Sequence, residues 1–97
     1  MLNQNELNQI RSIVAEFIDM NKFKVFIFGS RALGSARKFS DIDIGIEGKT
    51  KVPGFLISEM EEKFEQSDTP YTFDIVDFST VSSKFKTIAS GQRIPLN

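Results

Sequence analysis

Two short motifs in this sequence carry residue types that suit phosphate chemistry. Gly29-Ser30 follows an apolar run, and Asp41-Ile42-Asp43 begins after ten further residues. A glycine–serine turn at the end of a strand offers backbone N–H groups to a phosphate. Two carboxylates one residue apart on a strand point to the same face, where they can share metal ions. The spacing predicts a site for a nucleoside triphosphate with its magnesium, provided that the fold brings the two motifs together.

A third carboxylate, Asp74, lies in a later segment whose alternation is typical of a strand. Phe73 and Ile75 share one face of that strand, and Asp74 is on the other. If this strand neighbours the one with the acidic pair, three carboxylates come together, and they repel strongly unless cations lie between them. That arrangement suits a two-metal site. Asp77 falls on the opposite face from Asp74, so we expect it to form local hydrogen bonds.

Each of these signals also has a purely structural interpretation. An acidic pair that alternates with isoleucines is commonly the solvated face of a strand, and Gly29-Ser30 can be a simple turn. The nearby cations can neutralise phosphate or remain solvated at the surface; they are Arg31, Arg37 and Lys38. Gly48-Lys49-Thr50 resembles the end of a P-loop, but the glycine that a P-loop needs five positions earlier is Asp43. We interpret that segment as a loop.

The composition narrows the chemistry further. Cysteine and histidine are both absent, which excludes disulfides, zinc–thiolate sites, thiol nucleophiles and a histidine base. Catalysis would use carboxylates, hydroxyls, backbone amides and an oxygen-ligated metal such as Mg²⁺ or Mn²⁺. The net charge of -1 argues against direct nucleic-acid binding through a broad basic surface. The sequence lacks a signal peptide and an apolar run long enough for a membrane span, so we expect a cytoplasmic location and no membrane partner.

The length of 97 residues predicts a single domain, residues 1–97. Periodicity predicts the following order of elements: a helix over 3–20, a strand over 23–28, a short helical segment over 30–38, a strand over 41–47, a helix over 55–66, a strand over 71–78, and a last helix capped by Ser79 and ended by Gly91. Such alternation predicts an α/β fold (α+β by strict classification) with a small sheet packed against helices. The loop between the first two strands is short for a crossover, which favours a mixed sheet.

The sequence resembles a known family. The segments 29–34 (Gly-Ser-Arg-Ala-Leu-Gly) and 40–44 (Ser-Asp-Ile-Asp-Ile) are similar to the signature of the minimal nucleotidyltransferases, small members of the DNA polymerase β-like superfamily. The family pattern is Gly-Ser, ten residues, Asp-x-Asp, and a third Asp on a later strand. The resemblance extends over element order and length across nearly the whole chain, and it implies a nucleotidyltransferase-like fold.

The resemblance also implies roles for individual residues. Gly29 and Ser30 would hold the triphosphate, and Arg31 would contact a phosphate. The three carboxylates would bind two metal ions, and the last of them would help to activate the acceptor hydroxyl; they are Asp41, Asp43 and Asp74. Leu33 stands where the family often has a second basic residue that contacts phosphate. Arg37 or Lys38 could make that contact instead.

The reaction implied by the resemblance is metal-dependent transfer of a nucleoside monophosphate, AMP from ATP, to a hydroxyl. Family members of this length often work with a HEPN-domain protein in prokaryotic toxin–antitoxin pairs, and some add AMP to a tyrosine of that partner. Larger relatives add a second domain for the acceptor, and 97 residues leave no room for one. We therefore expect another chain or a second copy to complete the acceptor site, in a hetero- or homo-oligomer.

Two other hypotheses stay open on the sequence. In the second hypothesis the chain is a non-catalytic module, which binds a nucleotide or acts as an antitoxin by contact with a HEPN-domain partner. Transfer to a small molecule such as an aminoglycoside is a third hypothesis, against which the missing acceptor domain argues.

Overall fold

A mixed sheet positions every described part of the candidate site. The computed structural model describes residues 2–29, 42–69, 71–80 and 93–97. In these ranges the elements are α1 (Gln4–Ala15), β1 (Lys24–Phe28), β2 (Ile42–Glu47), α2 (Gly54–Gln66), β3 (Phe73–Asp77) and β4 (Ile94–Pro95). The strands form a four-stranded sheet in the order β3-β2-β1-β4. β1 is antiparallel to β2 and β4, and β2 is parallel to β3. The predicted fold class and the mixed sheet are confirmed.

Both helices pack on one face of this sheet. The isoleucines of β2 alternate toward that face, as the sequence predicts, and the other strands and the helices add apolar side chains to the same core. Burial of an aliphatic side chain of this size contributes about 1.5–3 kcal/mol, so the alternation fixes which face of each strand is turned to the helices. The core includes Ile42, Ile44 and Ile46 of β2, Val25 and Ile27 of β1, Ile75 of β3, and Ile10, Val14, Met60 and Phe64 of the helices.

The opposite face of the sheet, called the second face below, carries a smaller aromatic cluster. The ring of Phe78 packs edge-on against Phe26 and Phe28, with centroid separations of 5.0 and 5.2 Å. Gly45 of β2 lies beneath these rings, since a Cβ at that position would overlap the Phe26 ring and lie 2.9 Å from Cε1 of Phe78. The rings therefore lie directly on the backbone of β2, next to the position of Asp43 on the same face.

α1 is shorter than the helix that periodicity predicts. It begins at a capping box, in which the Glu6 N–H donates to the Asn3 side chain over 2.8 Å and the Asn3 N–H donates to the Glu6 side chain over 3.0 Å. It ends at Ala15 rather than continuing to Met20. The Asp19 carboxylate accepts the N–H of Asn21 over 2.9 Å, a local bond that competes with helix continuation.

The sequence did not predict β4. The Leu96 N–H donates to the Val25 carbonyl over 2.8 Å, and the Asn97 side chain accepts the Val25 N–H over 2.9 Å. The Asn97 amide also donates to the carbonyls of Met20 and Phe23. Pro95 is tolerated in β4 because an edge strand does not need its N–H.

Two predicted elements lie outside the described residues: the short helical segment over 30–38, and the last helix beyond Thr80. Within the described ranges, no helix has the length and apolar character needed to cross a membrane.

Candidate active site

Asp43 and Asp74 lie side by side on neighbouring strands. They are partners in the parallel register of β2 and β3, and adjacent strands lie about 4.8 Å apart. The next pair in the register, Ile44 and Ile75, belongs to the core beneath the helices. Because side chains alternate along a strand, both aspartates point to the second face. Asp43 is partly buried and Asp74 is exposed. Two of the three predicted carboxylates are thus brought together.

Gly29 lies directly against one of these carboxylates. β1 ends at Phe28, which is the antiparallel partner of Asp43. Gly29 follows with a φ of 76°, in the left-handed region that glycine adopts at little cost. A Cβ at this position would overlap Oδ2 of Asp43 and lie 3.4 Å from its Cγ. Gly29 therefore lies against Asp43 at the end of the sheet where β1 ends and β2 begins.

The remaining predicted site residues lie outside the described part of the chain; they are Ser30, Arg31 and Asp41, together with Leu33, Arg37 and Lys38. The first described residue after Asp41 is Ile42, whose N–H donates to the Thr72 carbonyl over 2.9 Å. Among the described residues no three acidic side chains are grouped closely enough to hold a metal ion. The described carboxylates of the candidate site are therefore the pair Asp43 and Asp74.

Asp77, the competing carboxylate, has a structural role. It is only 8% exposed and accepts the Val52 N–H over 2.7 Å. Its other oxygen accepts the N–H and the hydroxyl of Ser79 over 2.9 and 2.7 Å. The expected local hydrogen bonds are confirmed, and the bond to Val52 adds a link to the loop that precedes α2. These donors occupy the oxygens that a metal ion would need.

The contrast between Asp77 and Asp74 predicts effects on stability of very different size. Asp77→Ala leaves the buried Val52 N–H without its acceptor, and we expect it to cost about 2–3 kcal/mol. In a domain of this size that lowers the melting temperature by about 10–20 °C. Asp74→Ala removes an exposed side chain and should change stability by less than about 0.5 kcal/mol. Thermal unfolding followed by circular dichroism measures both; equal melting temperatures would contradict the structural role of Asp77.

Arg93 is a residue of the second face that the sequence did not point to. Its guanidinium lies 4.0 Å from the centroid of the Phe26 ring and 3.5 Å from a carboxylate oxygen of Glu47. Glu47 lies at the end of β2 away from Asp43. Arg93 therefore closes the aromatic cluster at the far end of the second face. A contact between a terminal segment and a central strand has no local sequence signal.

Comparison with known proteins decides the family. A family model described as a nucleotidyltransferase domain matches residues 7–95. This chain belongs to the nucleotidyltransferase family. The match includes the Gly-Ser turn, the acidic motif and β3, so the prediction of a nucleotidyltransferase is confirmed.

Individual relatives agree with this assignment. The Haemophilus influenzae protein named "Probable protein adenylyltransferase MntA" is 30% identical over 87 residues, which cover 90% of this chain and 75% of that protein. A crystal structure of a toxin–antitoxin with AMP-PNP has a TM-score of 0.77 at 24% identity, over 94% of this chain and 72% of the other. A structure of a tri-AMPylated Shewanella oneidensis HEPN toxin in complex with MNT antitoxin has a TM-score of 0.74 at 22% identity, over 99% of this chain and 72% of the other. These structural similarities confirm the nucleotidyltransferase-like fold.

Proposed function

We propose that this nucleotidyltransferase transfers AMP from ATP to a hydroxyl of a partner protein, with divalent metal ions bound by its carboxylates. The observation that carries the proposal is the register pair of Asp43 and Asp74 on one face of the sheet, with the Gly29 backbone against Asp43. In this proposal the two carboxylates would act as metal ligands, and the backbone N–H groups after β1 would bind a phosphate.

The described residues fit a hard divalent cation. Both side chains offer carboxylate oxygens, the ligands that Mg²⁺ and Mn²⁺ favour, and two such charges on adjacent strands repel each other unless a cation lies between them. Asp43 and Asp74, with Asp41 of the sequence motif, would hold two ions, for which Mg²⁺ is our first choice. When bound, these ions would supply Lewis acidity at the transferred phosphoryl group.

The residues of the chain itself have distinct roles in this scheme. Gly29 has no Cβ, so the Asp43 carboxylate can lie against the backbone at the end of β1, where the triphosphate would bind. We assign Ser30 and Arg31 to phosphate binding from the sequence motif. Asp74 is exposed on the outer strand of the described sheet, so we assign it to the side from which the acceptor approaches, where its carboxylate orients the acceptor hydroxyl. The acceptor hydroxyl would pass its proton to the Asp74 carboxylate as its oxygen bonds to the α-phosphorus and the bond to pyrophosphate breaks.

We take the acceptor to be a tyrosine of a HEPN-domain protein and the donor to be ATP. The support comes from relatives: one similar structure holds AMP-PNP, and another pairs an MNT antitoxin with an AMPylated HEPN toxin. The relative from Haemophilus influenzae carries the name of a protein adenylyltransferase.

Radiolabelled ATP tests this proposal directly. The purified chain is mixed with the protein encoded beside it and with MgCl₂, and either [α-³²P]ATP or [γ-³²P]ATP is added. We expect the partner to retain label only from the α-position, because AMP is transferred and pyrophosphate leaves. EDTA should remove the activity, and Mn²⁺ should restore it. A partner that copurifies with the chain but takes up no label would support the alternative, in which the chain acts only by binding.

A further inference from the structure

A cavity of about 250 Å³ lies between α2 and the start of β3. Its walls come from the last two turns of α2, from the loop that follows, and from the first residues at the edge of the sheet. The residues that matter below are Glu61, Phe64, Glu65, Thr69, Thr72 and Phe73. The cavity is separate from the carboxylate pair, and neither aspartate lines it.

The position of this cavity relates it to the candidate active site. Thr72 lines the cavity, immediately precedes β3, and lies two residues before Asp74. Two residues of a strand span about 6.6 Å. β3 is the outermost strand on this side of the described sheet. A segment bound in the cavity would therefore pass close to Asp74 at the sheet edge to which we assign the acceptor.

The lining combines an aromatic floor with polar groups. The rings of Phe64 and Phe73 are stacked, with centroids 4.2 Å apart and an interplanar angle of 23°. Thr69 Oγ1 is buried and has no hydrogen-bond partner among the described residues. A buried hydroxyl without a partner is unfavourable, and a polar atom of a ligand could supply the missing hydrogen bond.

Two carboxylates give the cavity its charge. Glu61 and Glu65 are four residues apart on α2, so their side chains lie on the same side of the helix. Glu61 is partly buried and Glu65 is exposed. In the described ranges neither glutamate forms a salt bridge; the pairs found there are Lys63 with Glu16 and Arg93 with Glu47. Their negative charge is therefore available to a ligand.

We propose that this cavity binds a lysine or arginine side chain that lies near the acceptor hydroxyl in the sequence of the acceptor protein. The aliphatic stem of such a side chain would pack on Phe64 and Phe73, while its charged end would reach Glu61 and Glu65. This inference rests on the proposed function, since it assumes that the acceptor is a protein segment presented to Asp74. The cavity would then determine which acceptor is selected, from a position outside the nucleotide site.

Two synthetic peptides test the inference. Each is a fluorescein-labelled dodecapeptide with one tyrosine, flanked by lysines in one peptide and by glutamines in the other. Fluorescence anisotropy without ATP should give a Kd for the lysine peptide at least about tenfold below that of the glutamine peptide, a preference that shrinks at high salt because the charges are screened. Equal binding of the two peptides by the unmodified chain would overturn the inference.

Charge variants on one helix locate the binding surface. E61K/E65K reverses both charges and should abolish the preference for the lysine peptide. E61Q/E65Q removes the charges without changing the size of the side chains and should reduce the preference. The second variant keeps the test valid if the charge reversal disturbs folding. The matched control is E59K/E62K, which makes the same charge change at exposed positions of α2 that do not line the cavity, and it should keep most of the preference. Equal loss in E61K/E65K and E59K/E62K would show that only net charge matters, and would overturn the inference.

A further variant separates this inference from the proposed function. Asp74→Asn should still bind the lysine peptide with the preference of the unmodified chain, but should not label it with [α-³²P]ATP. The unmodified chain could bind the lysine peptide selectively but label neither that peptide nor the partner protein of the chain. That result would support the binding role of the cavity and would show that the proposed transferase activity is wrong.

Discussion

Asp43→Asn is expected to reduce AMP transfer by about a thousandfold or more while the fold stays intact. Asparagine keeps the size of the side chain but removes one negative charge from the site. Loss of a charged metal ligand costs several kcal/mol of transition-state stabilisation, and each 1.36 kcal/mol corresponds to about a tenfold change in rate. Asp43 is the carboxylate that lies against Gly29 and beside Asp74, so under the proposed function its charge would affect both the phosphate and the acceptor hydroxyl.

Asp74→Asn should cause a loss of similar size, and the double variant should be little worse than either single one. Residues that act as a unit show such non-additive effects. The initial rate of label transfer to the partner measures activity, and the melting temperature shows whether each variant is folded. Asp68→Asn is the matched control, because it makes the same chemical change at an exposed position outside the candidate site.

Normal transfer by a folded Asp43→Asn variant would contradict the metal-binding role of this pair. A loss of transfer together with an unfolded chain would instead indicate a structural role. Titration of MgCl₂ adds a second readout, since a weakened metal site should need a higher Mg²⁺ concentration for half-maximal activity.

The alternation of side chains made much of the candidate site predictable. In β2 the isoleucines alternate with Asp43 and Gly45, which was enough to place Asp43 on the face away from the helices. The same reasoning placed Asp74 on the opposite face from Phe73 and Ile75. Alternation does not show which strand pairs with a given strand in the sheet. The convergence of Asp43 and Asp74 depends on the pairing and register of β2 and β3, which are long-range properties.

Other features had no adequate local signal. β4 is a two-residue strand that is held partly by the Asn97 side chain, and periodicity needs a longer run to be detected. The end of α1 was missed because Phe17 and Ile18 continue the apolar helical pattern and still pack on the core after the helix has ended. The sequence indicated that Asp77 forms local hydrogen bonds, but its bond to Val52 depends on the tertiary fold.

Gly29→Ala is expected to reduce AMP transfer by about a hundredfold or more, with a smaller effect on stability. The backbone at this position has a φ of 76°, a conformation that costs an L-residue about 1–2 kcal/mol. The added Cβ would also overlap the Asp43 carboxylate, which must then rotate or shift. Displacement of a reacting group by about 1 Å can cost about a hundredfold in rate. The melting temperature should fall by about 5–15 °C, as expected for this strain.

Gly54→Ala is the control for Gly29→Ala. Gly54 is the first residue of α2, its φ lies outside the left-handed region, and a Cβ there would meet nothing within 4 Å. Alanine also favours the helix over glycine, so this variant should keep full activity and equal or slightly higher stability. Label transfer and thermal unfolding are measured on both variants. If Gly29→Ala transfers AMP as fast as Gly54→Ala, the close contact between Gly29 and Asp43 does not contribute to catalysis, and the phosphate must be bound elsewhere.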